Sequence, residues 1–363
     1  MRILYGVQTT GRGHVVRARG MIAALKANGH DVKTVFSGAK LDTTWFEPTF
    51  EPYLVFDGLT HRSHAGQFRT VSTAYDAITK MPRLARDILR LDAADLDVVV
   101  TDYEPITAYF ARLRGVPSIG VGHLYAFAHE VPVAPGRLID HAVMRGFAPA
   151  SIPLGMHWDP FGQAILPPTI PPDIRAIADQ EIPEEDDFVV VYMGFEDTDR
   201  VAAMVAGFPD RRFRVYCKTD APREIGNVQF VPQGRAPFVA DLARASAIIC
   251  NTGFSLISEA LYLGKRILTK PLTGNVEQEA NAVALKQLGL ARVMTDLSSE
   301  AVGRLVEDAS PEPIRYPDVM TALVEWIGAG DWSEPERLAE SLWSNTSTSR
   351  KRDPPSGVDR KAS

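Results

Sequence analysis

Short apolar runs recur along this chain, and nearly every one gives way to a small or polar turn and then to a stretch with helical spacing. Residues Arg2 to Val7 form the first run, closed by Gln8-Thr9-Thr10-Gly11-Arg12-Gly13-His14. Val15, Met21, Ile22 and Leu25 then share one helical face, and Asn28-Gly29 is a stop signal. Asp31 to Phe36 predicts the next strand, so the chain opens as a βαβ unit, which requires parallel pairing and a right-handed crossover. After an irregular segment from Trp45 to Arg69, rich in aromatics, prolines and histidines, Val71 to Leu91 has the period of a helix. Asp97 to Asp102 is a strand apolar on both faces, Ile106 to Leu113 a helix, and Val116 to Val121 a further strand with His123 just past its end.

The pattern breaks between Met156 and Pro172, where five prolines and little periodicity predict a linker. It then starts again, with strands predicted at Phe188 to Gly194, Phe213 to Cys217 and Val228 to Val231 and helices at Val201 to Val205 and Phe238 to Ala245. Helices near Ser299 to Ala309, Met320 to Ile327 and Glu334 to Trp343 close the pattern. Ser344 to Ser363 has no apolar face and carries five basic and two acidic residues, which predicts a disordered basic tail. The expected organisation is α/β: two doubly wound Rossmann-like domains at 1–155 and 176–343, joined by the linker at 156–175 and followed by the tail at 344–363. Ligands in such sheets bind outside the carboxyl ends of the strands, so two facing sheets would form one cleft.

The stretch from Cys250 to Leu290 concentrates the candidate chemistry. A buried run ends at Asn251-Thr252-Gly253, and a helix follows from Phe254 and Ser255. Such a turn offers free backbone N–H groups and the positive end of a helix dipole, which suits a phosphate. Glu259, one turn further on, is placed to accept hydrogen bonds from a ribose. After the strand Arg266 to Pro271, Gly274, Asn275, Glu277, Gln278 and Asn281 open another helix with side chains suited to a sugar.

In the first half, Gly11-Arg12-Gly13 lets backbone approach a ligand closely, and His14 projects from a helix start whose dipole disfavours the imidazolium. That makes His14 a candidate general base, with capping of the turn as the competing role. Asp102, at a strand end, either orients His14 or caps the helix that follows. Glu104 and His123 are candidates for the acceptor side.

Several classes drop out. G-x-G-x-x-G fails because Val16 stands where the third glycine belongs, and neither a P-loop nor a G-x-S-x-G elbow is present. Asp95-Leu96-Asp97 has the spacing of a metal-binding DxD but lies at the wrong end of its strand, so no metal and no cofactor is expected. A net charge of −6, from 39 basic and 45 acidic residues, argues against general nucleic-acid binding. Two cysteines in predicted strands, no signal-peptide pattern and no apolar run near the roughly 20 residues of a membrane span predict a cytoplasmic protein, with peripheral contact at the membrane's cytoplasmic face left open.

The segments GRGHVVRARGMIAAL, NTGFSLISEALYLGKRILTKPL and NVEQEANAVALKQLG resemble the GT-B glycosyltransferases, in particular the branch of the peptidoglycan lipid-linked N-acetylglucosaminyltransferase. The resemblance covers nearly the whole chain up to the tail. It implies an inverting, metal-independent transferase whose second domain binds a nucleotide-sugar, most often UDP-linked, and whose first binds a hydroxyl acceptor: a lipid, a saccharide or a natural product. Gly253 would then lie near the diphosphate, Glu259 on the ribose, and Glu277 and Gln278 on the donor sugar. Glu277-Gln278 replaces the family's frequent Gln-Gln, and Met193-Gly194-Phe195-Glu196 replaces a Gly-Gly-Ser type loop. A nucleotide-sugar 2-epimerase of the same fold and a non-catalytic nucleotide-sugar-binding protein are the alternatives.

Overall fold

β1 (Arg2–Gln8) is buried along its length after the first residue, and it pairs in parallel with β2 (Asp31–Ser37) on one side and β6 (Val98–Asp102) on the other. In this computed structural model, residues 1–10, 12–39, 47–59, 63–64, 67–68, 70–92, 95–135 and 138–347 are described. Gly11, parts of the irregular segment 45–69 with His61, and the tail beyond 347 lie outside the described residues.

Helix α1 (Arg12–Ala27) makes the first crossover. β3 (Tyr53–Phe56) adds to β2, and β4 (Ser63–His64) with β5 (Gln67–Phe68) forms a small antiparallel pair. α2 (Thr70–Arg90), α3 (Pro105–Arg114), β7 (Ser118–Gly122), α4 (Leu138–Phe147) and β8 (Ile152–Gly155) complete a six-stranded parallel sheet of order β3-β2-β1-β6-β7-β8.

The second sheet follows α5 (Pro172–Ala178) and runs through β9 (Glu185–Tyr192), α6 (Thr198–Val205), β10 (Arg212–Cys217), β11 (Arg223–Ile225), β12 (Val228–Pro232), α7 (Arg235–Arg244) and β13 (Ala245–Asn251). α8 (Phe254–Tyr262), β14 (Arg266–Lys270), α9 (Val276–Gln287) and β15 (Arg292–Val293) finish it in the order β11-β12-β10-β9-β13-β14-β15, parallel except for the edge strand β11. These are two Rossmann-like domains. Both cysteines are free and buried in strands.

Two features differ from the expectation. The Pro-rich segment is packed rather than a loose tether: Met156, Trp158, Ile165 and Leu166 are buried, and Trp158 Nε1 donates to Ser258 Oγ at 2.9 Å. Aromatic and aliphatic side chains between the prolines supply that burial. After α10 (Ser299–Glu307), the chain returns to the first domain. α11 (Val319–Ala329) lies on α1, so closely that a Cβ at Gly20 would stand 2.5 Å from the Met320 sulfur. α12 (Pro335–Ser344) follows, with Trp343 donating to the Ile165 carbonyl. One buried cluster therefore runs from Tyr5 and Met21 through Trp158 and Phe254 to Ile248. No helix among the described residues is long and apolar enough to cross a membrane.

Candidate functional site

Register places the first group of candidates. β1 and β6 run side by side with Val7 opposite Asp102, so Asp102 sits at the strand end from which α1 departs. His14, in the first turn of α1, brings Nδ1 to 2.7 Å from Asp102 Oδ1, with a fifth of its side chain exposed. Arg17, one helical turn on, donates from Nε to Asp102 Oδ2 at 2.8 Å and from Nη2 to Oδ1. Burial works to raise the Asp102 carboxyl; the Arg17 charge, the His14 ring and their hydrogen bonds outweigh it and leave the group below its ordinary value. Asp102 is thus an ionised acceptor, so His14 must carry its proton on Nδ1. Nε2 has no hydrogen-bond partner among the described residues.

The competing role for Asp102 falls to a neighbour. Glu104 is the N-cap of α3, taking the N–H groups of Ile106 and Thr107 at 2.7 Å each, together with the hydroxyls of Ser37 and Thr107. It is fully buried with its carboxylate taken up by these bonds, whereas the sequence expectation put it at the acceptor. His123, the other residue expected on the acceptor side, is likewise buried. Its ring is buried, with Nδ1 2.8 Å from the Met156 carbonyl and Nε2 2.7 Å from Asn281 Oδ1, and it stacks on Phe254 with centroids 4.0 Å apart. Burial lowers its pKa, against the opposing charge of Glu277, so it serves as a neutral strut between the domains. The same contact buries the Phe254 side chain against His123, at the start of α8.

On the second sheet, β13 ends at Asn251 and Gly253 caps α8. A Cβ at Gly253 would meet nothing within 4 Å, so the turn faces open space. Glu259, a turn and a half into α8, accepts from Arg235 Nη1 at 2.9 and 3.1 Å, and Arg235 also holds Asp173 through Nε and Nη2. Burial pushes the Glu259 carboxyl up to about 7; Arg235 opposes this but divides its charge with Asp173.

The loop before α9 is braced from within. Gly274, at φ +80°, donates to Glu279; Asn275 caps the helix by accepting from the Gln278 N–H; and the Gln278 side-chain oxygen accepts from Leu272. Asn281 donates to the Thr252 carbonyl at 3.1 Å while accepting at His123, so it ties the Gly253 turn to the first domain. Glu277 stays half-buried, and its charge acts on both Arg17 and His123. Lys270 pairs with Glu196 at 2.9 Å, both side chains nearly buried, which fills the loop where a Gly-Gly-Ser type turn was looked for.

The two halves converge. A Cβ built on Gly13 would stand 2.7 Å from Ser255 Oγ, so the amino-terminal ends of α1 and α8 meet. The site thereby joins a histidine whose Nε2 has no partner among the described residues, two converging helix dipoles and an open turn. No metal-binding group of three or more His, Cys, Asp or Glu occurs among the described residues. The sequence reading missed Arg17, Arg235 and Asp173. Arg17 carried a signal: three residues after His14, it had to share that helix face.

Two facing Rossmann-like sheets with a site between their strand ends define the GT-B glycosyltransferase class. Solved structures of that class are similar at 14–16% identity. The glycotransferase of kitacinnamycin matches at 16% identity and TM-score 0.56, over 94% of this chain and 95% of that one. LpCGTa in complex with UDP matches at 14% and 0.56, over 94% and 98%. The glycosyltransferase VinC in complex with dTDP matches at 16% and 0.53, over 94% and 100%.

The chain belongs to glycosyl transferase family 1, whose pattern it matches over residues 1–309. It is also 32% identical over 106 residues to a UDP-N-acetylglucosamine--N-acetylmuramyl-(pentapeptide) pyrophosphoryl-undecaprenol N-acetylglucosamine transferase of Sinorhizobium medicae (strain WSM419). That match takes in 27% of this chain and 26% of the relative.

Proposed function

We propose that the protein transfers a sugar from a nucleoside diphosphate donor to an acceptor hydroxyl, with His14 as the general base. The observation that carries this reading is the approach of Gly13 to Ser255, which sets the His14–Asp102 pair against the open turn at Gly253. The donor's diphosphate lies at that turn, where the backbone N–H groups and the dipole of α8 take up the charge that develops on the leaving group. Glu259 holds the ribose, and Gly274, Asn275, Glu277 and Gln278 line the donor sugar with Asn281 behind them. The acceptor enters over the first domain, residues 1–155, while residues 176–343 hold the donor. Nε2 of His14 takes the hydroxyl proton as the oxygen attacks the anomeric carbon and the diphosphate departs from the opposite side, a single displacement that inverts the centre. UDP-sugars are the first donors to try and dTDP-sugars the second, because similar structures hold UDP and dTDP.

The test has two stages. Melting curves with UDP, dTDP and their sugars identify the donor, since a ligand of the folded state raises the transition. Transfer from that donor to a panel of lipid, saccharide and natural-product hydroxyls is then compared in wild type and His14→Ala. Loss of about two to four orders of magnitude in the variant is expected for a general base. Undiminished transfer by His14→Ala removes the base, an epimerised donor in the absence of acceptor makes the protein a 2-epimerase, and donor binding without any turnover leaves a binding protein.

A further inference from the structure

Arg17 has no part in the mechanism as just given, yet it is the most heavily invested side chain near His14. It is 6% exposed, its guanidinium grips both oxygens of a fully buried carboxylate, and its Nη2 lies 3.2 Å from His14 Nδ1. The backbone makes room for it: a Cβ at Gly122 would come within 2.8 Å of the same Nη2. A buried arginine this close to a base is costly to desolvate, and a carboxylate alone would suffice to orient the ring.

We propose that Arg17 is a positioning residue for the base. It clamps Asp102 in place and balances its charge, so that Asp102 can fix the ring of His14 without trapping it as a cation. A histidine facing an uncompensated buried carboxylate would take a proton readily and release it poorly. With Arg17 present, the charge of the ionised Asp102 is already balanced, and a second positive charge on the ring is opposed by the guanidinium beside it. The ring can then accept the hydroxyl proton during transfer and return it to water afterwards. Other groups close to the cluster are the Tyr5 hydroxyl from β1, on which the charges of both Asp102 and Arg17 act, Glu277 from α9, and the neutral ring of His123. Glu277, which favours the charged forms of Arg17 and His123, adds a further negative charge beside the cluster for Arg17 to balance.

This inference rests on His14 acting as base, and its test separates the two. The titration of the His14 ring is followed by NMR of its Cε1 position, assigned by its disappearance in His14→Ala, in the substrate-free wild type, Arg17→Gln and Arg17→Lys. The acid limb of kcat/KM is recorded for the same proteins. In Arg17→Gln both the ring midpoint and the acid limb move upward by about one pH unit or more. Arg17→Lys, which keeps the charge and loses the fork, holds the midpoint near wild type while kcat falls. An Arg17→Gln ring midpoint equal to that of wild type overturns the proposal, whatever the kinetics. If Arg17→Gln does not fold, a midpoint raised in Arg17→Lys by as much as a unit overturns it instead. A shifted ring midpoint with full transfer by His14→Ala upholds the action of Arg17 on the ring and rejects the base.

Discussion

Gly13 and Ser255 touch across the cleft: a position in the first turn of α1 without a side chain faces a serine hydroxyl that a Cβ would approach to 2.7 Å. The contact joins two helix starts 242 residues apart in the chain (255 − 13). Each domain supplies half of the site, and the fit between the halves depends on a missing methyl group. Gly13→Ala should therefore fold and lose transfer, through an overpacking cost of about 1–3 kcal/mol at the domain contact. Adding Ser255→Ala, which removes the opposing oxygen, should restore part of it. A double-mutant cycle on kcat/KM checks this, and strictly additive losses would mean the two positions do not meet.

His14 and Asp102 should separate in stability. The ring is partly exposed and its removal leaves Asp102 still held by Arg17, so His14→Ala should melt close to wild type. Asp102→Ala strands a buried guanidinium, which costs about 3–5 kcal/mol. Denaturant titration of both variants at neutral pH measures the difference.

Glu104 is the counter-case. The four hydrogen bonds of its carboxylate are all to α3 and to Ser37. Glu104→Ala should lower stability by at least the roughly 1–2 kcal/mol of a lost cap, with KM for the acceptor unmoved in the folded fraction. A raised acceptor KM at unchanged stability would return Glu104 to the acceptor side.

Glu259 gives the protein a pH signature. A carboxyl that burial lifts from 4.5 to about 7 binds its proton more tightly folded than unfolded. Its contribution to stability is complete below the ordinary carboxylate range and is lost as pH climbs toward 7, by up to about 1.4 kcal/mol per pH unit. Wild type measured against Glu259→Gln should thus lose relative stability between pH 5 and 7. Parallel melting curves across that range would show that Arg235 keeps Glu259 charged throughout.

The alternation of strand and helix was legible in the sequence because parallel strands covered on both faces leave long apolar runs, as in Val98-Val99-Val100 and Ile248-Ile249-Cys250. His14 and the Asn251-Thr252-Gly253 turn could be picked out for a related reason, since polar residues and glycine fall where strand gives way to helix. Asp102 and Glu104 could not be told apart by pattern: both precede α3, and which of them caps it depends on the pairing of β1 with β6. His123 and Phe254 looked like ligand-facing residues, and they are partners of each other across the domain seam, a contact that no local spacing encodes. Arg235 and Asp173 belong to the same kind, meeting across 62 residues.

The return of α11 onto α1 means that the chain crosses between the domains twice, once through the Pro-rich segment and once before Val319. A body tethered at one point swivels in every direction, whereas one tethered at two turns freely only about the line between them. If the proposed function holds, donor entry and product release work like a door on a pair of hinges. Distances measured between labels on either side of that line should change in opposite senses when a nucleotide binds.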